Sequence, residues 1–333
     1  MEATSTADRA SATSPRITHF DISTFAANSV NLKRDDANVY RDQVNRLRDK
    51  LDGFVSEHPE YGLVKMLLSG SLAKGTALKT INDIDVALYV KASEAPKDEI
   101  ALLVWLAERL RKAYPAMASD PIKPVTHCVR ISFKGTGLDV DVSPVHYAGD
   151  AQWRGHLYNR KTGKPLLTSI PMHLDFVRKR KTAQPDDFAQ VVRLVKWWVK
   201  ERKKNDASFR LKSFISEMIV AHLADTGVSM ADYPAALEAF FRYVVKSQLK
   251  TRIAFTDYYA ASKLPAPTGK PIEIFDPVNE VNNVSVDYSL EDRQRIVDAA
   301  EESLERLAEA RFATTRGRAV DCWQEILGPS FRG

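Results

Sequence analysis

The sequence predicts an α+β protein in two lobes: a mixed sheet with helices, then an α-helical lobe, with a cleft between them. Three observations carry that prediction. The stretches 67–90 and 129–142 alternate apolar and polar residues as strands do. Segments between 186 and 312 repeat apolar residues at three- and four-residue spacing, as amphipathic helices do. A chain of 333 residues is long enough for one large domain or for two lobes sharing a cleft.

Taken in order, residues 1–16 read as a disordered tail without the apolar core of a signal peptide. A helix is expected over 35–57, where Val44, Leu47, Leu51 and Phe54 share one face and His58-Pro59 ends it. Leu67-Leu68 closes a first strand. Ser69-Gly70-Ser71 then turns the chain, and a short basic loop through Lys74 leads to a second strand that starts after Asn82. On that strand Ile84, Val86, Leu88 and Val90 point into a core, while Asp83 and Asp85 point together the other way. A helix over 96–113 carries Leu102, Leu103, Leu106 and Leu110. A hairpin follows, with Val129, Ile131 and Phe133 on one arm, Gly135-Thr136-Gly137 at the turn, and Leu138, Val140 and Val142 on the return arm, which ends at Ser143-Pro144. Asp139 and Asp141 share the polar face of that arm. From about 165 the pattern turns helical, with helices at 186–202, 214–223, 231–249 and 290–312, the last opened by a Ser289 cap. The predicted lobes are therefore 17–164 and 165–333.

The chemistry sits in the first lobe. Two carboxylates on one strand face repel unless a cation lies between them, and hard divalent ions take oxygen ligands of this kind. A glycine lets backbone N–H groups approach a phosphate, and the serine beside it adds a hydroxyl. Gly70-Ser71 and Asp83-x-Asp85 together read as a place where Mg²⁺ meets a nucleoside triphosphate, and a carboxylate from the return arm supplies the third group a two-metal site uses. A net charge of +5 suits anionic partners without demanding nucleic acid. Cys128 and Cys322 stand far apart, with no zinc spacing and no disulfide framework, which points to a reducing cytoplasm. No apolar run reaches membrane-spanning length. The basic runs 178–181 and 200–204 are candidate phosphate or nucleic-acid contacts, although such runs are more often solvated faces. His173 reads as a packed or capping residue, and Asp276 and Asn283 as buried fasteners of the helical lobe to the sheet.

These residues resemble a known family. Gly70-Ser71, Asp83-x-Asp85 and Asp141 in Asp-Val-Ser-Pro are similar to the nucleotidyltransferases of the DNA polymerase β superfamily. Arg193 to Trp198, Leu211-Lys212-Ser213-Phe214 before Glu217, and Asp276-Pro277 through Asn282-Asn283 resemble oligoadenylate synthetase and cyclic GMP-AMP synthase. The run from Gly70 to Leu78, Trp153-Arg154-Gly155-His156-Leu157, His173-Leu174-Asp175-Phe176 and the closing Trp323-Gln324 to Phe331 resemble the bacterial CD-NTases of CBASS anti-phage operons, in the subgroup encoded beside HORMA-domain proteins. The resemblance covers about 20–333.

It implies a polymerase-β-like lobe, an oligoadenylate-synthetase-like helical lobe, and an active site in the cleft. It also implies two Mg²⁺ ions (Mn²⁺ can stand in for them) on Asp83, Asp85 and Asp141, with Asp141 preferred over Asp139 because it comes just before the small residues and proline that end the strand. Gly70, Ser71, Lys74, Lys196, Lys212 and Ser213 would contact the nucleotide, and Phe214 would stack on its base. The implied activity joins ATP, or other nucleoside triphosphates, into a cyclic oligonucleotide second messenger, cyclic tri-adenylate in this subgroup, with a HORMA-domain activator and nucleic acid as a further candidate activator. The competing enzyme reading is a template-independent nucleotidyltransferase that tails RNA or modifies a protein or small molecule. A non-enzymatic scaffold is disfavoured because the three carboxylates and the Gly-Ser are all intact.

Overall fold

The computed structural model describes residues 15–81, 83–115, 117, 121–134, 137–158 and 164–333. Asn82, the turn residues Gly135-Thr136 and most of the expected tail lie outside the described residues. Helix α1 (His19–Phe25) opens the described chain, and α2 (Arg34–Glu57) follows with the predicted buried stripe of Val44, Leu47 and Leu51. Strand β1 (Leu63–Leu68) then runs into a one-turn helix, α3 (Gly70–Lys74), where the sequence suggested a loop. The chain continues as β2 (Asp83–Lys91), α4 (Glu99–Ala113), β3 (Ile122–Pro124), β4 (Val129–Phe133), β5 (Leu138–Tyr147), β6 (Gly155–Tyr158) and β7 (Pro165–Thr168). Helix α4 starts three residues later than expected because Asp98 caps it, accepting the Ala101 N–H at 2.8 Å.

Among the described residues the strands form one mixed sheet in the order β1-β2-β5-β4-β3, extended from β5 by β6 and then β7. Only β2 and β5 are parallel. Strand β5 runs three residues past Pro144, where the sequence placed its end. Pro144 falls between the last pairing with β4, at Val142, and the first with β6, at His146, so its missing N–H is tolerated there.

One face of the sheet is core. Ile84, Val86, Leu88, Val90, Val140 and Val142 are fully buried beneath α2 and α4. The other face changes character along its length. Asp83 and Asp85 lie at its open end, while Ala87 and Tyr89 further along are buried with Val145 in a small apolar cluster.

The helical lobe holds α5 (Ile170–Ala183), α6 (Asp187–Asn205), α7 (Ser213–Asp225), α8 (Tyr233–Ser247), α9 (Leu290–Phe312) and α10 (Arg316–Leu327). Fully buried Trp198 on α6 meets Phe240 and Phe241 of α8 at its centre. The predicted capping box of α9 is present between Ser289 and Asp292. Two features cross the lobe boundary expected from sequence. Ile22, Phe25 and Val30 pack into the helical core rather than under the sheet, and residues 165–168 pair as a strand. No described helix is long and apolar enough to cross a membrane.

Candidate active site

Parallel pairing of β2 with β5 sets Asp83 beside Asp139 and Asp85 beside Asp141. Four carboxylates thus share one sheet face, on strands about 4.8 Å apart. On the far side of β5, β4 brings Arg130 opposite Asp141 and Ser132 opposite Asp139. Arg130 grips Asp141 with both arms of its fork, Nε to Oδ1 at 2.7 Å and Nη2 to Oδ2 at 2.8 Å. It also reaches Asp139 at 3.3 Å and Asp83 at 3.9 Å. The bond to Asp141 is the largest influence holding this guanidinium charged, above its ordinary pKa. Ser132 donates to Asp139 at 2.7 Å. Asp139 is thereby occupied on the β4 side, and Asp141 is the carboxylate directly beside Asp85.

Sequence reading missed Arg130. The hairpin register held the signal, since counting back across the turn from Asp141 lands on it.

Asp85 has the most perturbed environment of the four. Its outer edge is open to solvent, yet the backbone of Gly70 lies flush against its carboxylate. Desolvation first, then the charges of Asp83 and Asp141, push its pKa above the ordinary value. Among the described residues no three His, Cys, Asp or Glu side chains converge into a ready metal cluster. The carboxylates repel one another, and Arg130 draws Asp141 to its own side. The donor set nevertheless fits a hard divalent cation: the groups are all carboxylate oxygens, the ligands such ions take.

The Gly-Ser element is built around the same carboxylate. The Ser69 N–H donates to the Asp85 carbonyl at 2.9 Å, which ties the end of β1 to β2. Gly70 has φ +62° and opens α3, with Ser71 next along the helix. A Cβ on Gly70 would lie 2.0 Å from Asp85 Oδ2, so only glycine permits this approach.

The helical lobe closes the cleft. Lys74 of α3 and Glu217 of α7 form an ion pair across it at 2.6 Å, their side chains only 11% and 5% exposed. Lys74 Nζ also lies 4.9 Å from the centre of the Phe214 ring. Lys196 of α6 donates to the Thr76 carbonyl at 2.7 Å. Burial is the main cause that lowers the Lys196 amine to about 8, with Glu217 opposing it and Lys74 adding to it. Glu217 was read from sequence only as a landmark on its helix, and its link to Lys74 spans 143 positions.

Gly70, Lys74, Asp85, Phe214 and His173 line one cavity of about 380 Å³, whose far wall is apolar and includes Leu157 and Leu167. Lys196 approaches from behind through Thr76. Lys212 and Ser213 are exposed at the start of α7, where the Lys212 N–H is anchored by Tyr288 Oη at 2.9 Å.

The segment 276–283 corrects one expectation. Asn283 bonds to the nearby backbone of Ile272 and Ile274, whereas Asn279 reaches the sheet through the Leu167 carbonyl at 3.2 Å. Asp276 pairs with His173 at 2.8 Å, inside the helical lobe. The basic run 178–181 does not form one groove. Arg180 is buried against Asp257 and Asp225, Arg178 pairs with Asp175, and Lys181 faces Gly75.

A nucleotidyltransferase domain family matches residues 48–221. The chain is 48% identical over 317 residues to the cyclic AMP-AMP-AMP synthase of Escherichia coli strain MS 115-1, covering 95% of this chain and 98% of that one. It is 32% identical over 321 residues to the CBASS oligonucleotide cyclase CdnC of Escherichia coli strain KTE188, with the same coverage of each chain. Its fold matches the solved E. coli MS115-1 CdnC in complex with HORMA-deltaN at a TM-score of 0.92, with 47% identity and coverage of 96% and 99% of the two chains. The same relative solved with ATP also gives 0.92, at 48% identity and coverage of 95% and 99%.

Proposed function

This chain belongs to the nucleotidyltransferase domain family and, within it, to the CBASS oligonucleotide cyclases, and from that membership we propose that it joins ATP into a cyclic oligonucleotide, cyclic tri-adenylate. One observation carries the reading into the cleft: Asp85 is pressed between the Gly70 turn and Asp141 on the neighbouring parallel strand. The sheet lobe, 34–168, would supply the carboxylates. The helical lobe, 170–333 joined by 17–31, would hold the base.

Divalent cations, two Mg²⁺ in this proposal, neutralise the triphosphate and make the attacking ribose hydroxyl more acidic. Asp83 and Asp85 would hold the cation that arrives with the donor nucleotide, and Asp141 would join them at the second. Arg130 sets the direction of Asp141. The Gly70-Ser71 turn and Lys74 receive phosphates, and Phe214 offers its face to the donor base. Growth in one cleft, without a template, ends when the oligonucleotide's terminal ribose hydroxyl attacks the α-phosphorus of its own 5′-triphosphate and pyrophosphate leaves.

Acceptor-free incubation with ATP and Mg²⁺ tests the reading. It should release pyrophosphate and leave a phosphatase-resistant product, whereas an absolute need for an RNA, protein or small-molecule acceptor would favour the tailing enzyme. The relative's complex with HORMA-deltaN supports a HORMA-domain partner here too. Turnover of the isolated chain should be near background and should rise when that partner is added. Full activity alone, unchanged by the partner or by nucleic acid, contradicts this regulation.

Two expectations concern the helical side of the cleft. With Lys196 at about 8, its charge is present below that pH and lost above it. The kcat/KM for ATP, which reports the free enzyme, should fall as pH rises through 8. Lys196→Arg, charged throughout, should flatten that limb; an identical limb in the variant assigns it elsewhere. Phe214→Ala should cost ~10-fold or more in ATP use, since stacking on an aromatic face is worth ~1–3 kcal/mol. Phe214→Tyr should be nearly neutral. If Phe214→Ala leaves ATP kinetics intact and instead lowers the thermal midpoint, the ring is core packing.

A further inference from the structure

We propose that Glu217 is the positioning residue for the phosphate side of the cleft: one buried carboxylate that fixes where Lys74 stands and is the counter-charge to Lys196 behind it. The proposal rests on Lys74 as a phosphate contact and on the charge of Lys196 in ATP use, and its test keeps these claims apart.

Both lysines tie the segment after Gly70 to the helical lobe. Lys74, on α3, pairs with Glu217 Oε1 on α7 at 2.6 Å, out of solvent. Lys196, on α6, donates to the Thr76 carbonyl at 2.7 Å, a neutral partner that leaves its charge unanswered. Lys74 belongs to the wall of the cavity with Gly70 and Asp85, whereas Glu217 does not reach that wall. The carboxylate therefore holds the ammonium without taking the nucleotide's place.

A buried ammonium with no opposite charge tends to give up its proton. Burial is the main influence against the charge on Lys196, and Glu217 is the strongest influence in its favour. Lys74 of α3 and Arg193 of its own helix act with burial, while Asp85 of β2 acts with Glu217. One carboxylate thus serves two ammoniums. A surplus positive charge is left for the triphosphate, so Glu217 places the lysines without cancelling them.

Full-length enzyme with its HORMA-domain partner is assayed for kcat/KM on ATP across pH, with thermal midpoints alongside. Glu217→Gln keeps an oxygen for Lys74 but removes the charge. It should move the alkaline limb down by about one pH unit, so that its deficit against wild type grows toward about tenfold as pH rises. Lys196→Arg/Glu217→Gln should lose that growth, because a guanidinium stays charged. Lys74→Gln removes a cation that opposes Lys196 and should move the limb up. Adding Glu217→Gln to it should bring the limb down again, in a protein with no unpaired Lys74, so this comparison stands even if Glu217→Gln alone fails to fold. Glu217→Ala offers Lys74 no oxygen. Well below the limb it should cost about tenfold in kcat/KM, and that cost should vanish once Lys74→Gln is present.

A limb that Glu217→Gln leaves unmoved on both backgrounds, or a growing deficit that survives Lys196→Arg, overturns the counter-charge. A cost of Glu217→Ala that persists without Lys74 overturns the positioning, and a lower thermal midpoint beside it makes Glu217 packing alone. Better use of ATP by Glu217→Gln at every pH would make the carboxylate a rival of the triphosphate and overturn both. An unchanged KM for ATP in Lys74→Gln instead removes Lys74 from the phosphates, a failure of that assignment which the limb of Glu217→Gln does not share.

Discussion

Replacing Asp83 and Asp85 together with asparagine should abolish nucleotide transfer and leave the metal-free protein at least as stable as wild type. Loss of activity follows from removing the two carboxylates proposed to share both cations. The stability half follows from linkage. Desolvation and like charges raise the Asp85 carboxyl above 3.8, so the folded state binds its proton more tightly than the unfolded chain does. That contribution is complete below the unfolded value and is lost as pH rises through the raised folded value. Above that window, wild-type Asp85 is a charge the fold tolerates poorly, and asparagine removes it. Thermal midpoints in EDTA across pH should show wild type losing ground to the variant as pH rises out of the acid range. A double variant that still transfers nucleotides defeats the two-metal reading. One that is inactive because it fails to fold defeats the stability argument.

Gly70→Ala should cost roughly a hundredfold or more in kcat/KM, the scale of an ångström's misplacement at a reacting centre. The new Cβ would sit 2.0 Å from Asp85 Oδ2 and 2.7 Å from Asp85 Cβ, and φ is +62°, so either the carboxylate or the turn must move. Gly75→Ala is the control. It carries a similar backbone strain, at φ +72°, but its Cβ would meet only Lys181 Nζ, at 3.1 Å, with no carboxylate within 4 Å. Gly75→Ala should lose stability yet keep most of its activity. Equal kinetic losses in the two variants would mean that the turn matters as backbone rather than as the wall behind Asp85.

The contrast between these glycines shows which parts of the site could be read from the sequence. Period-two alternation placed Asp83 and Asp85 on one face opposite Ile84 and Val86, because a strand offers each side chain only two directions. Helical spacing likewise exposed the buried stripes of α2, α6 and α9. What stayed hidden depends on partners distant in sequence. Nothing near Lys74 announces Glu217, and nothing near His173 announces Asp276. Asp276 and Asn283 looked like the ties to the sheet, but Asp276 is taken by His173 and Asn283 by Ile272 and Ile274, and Asn279 reaches the Leu167 carbonyl instead. The four-residue strands β6 and β7 carry too few alternations to stand out, and α1 docks on the far lobe because Ile22 and Phe25 find apolar partners there.

This one cleft, unaided by a template or acceptor, is proposed to turn ATP into a ring. The most direct measurement is mass spectrometry of the phosphatase-treated product made from equal ATP, GTP, CTP and UTP with Mg²⁺ and the HORMA-domain partner. One dominant species is expected, a ring of AMP units with the composition AMP-AMP-AMP, absent when the Asp83→Asn/Asp85→Asn enzyme is used. A ladder of linear chains, or a product that appears only when an acceptor molecule is supplied, would contradict it.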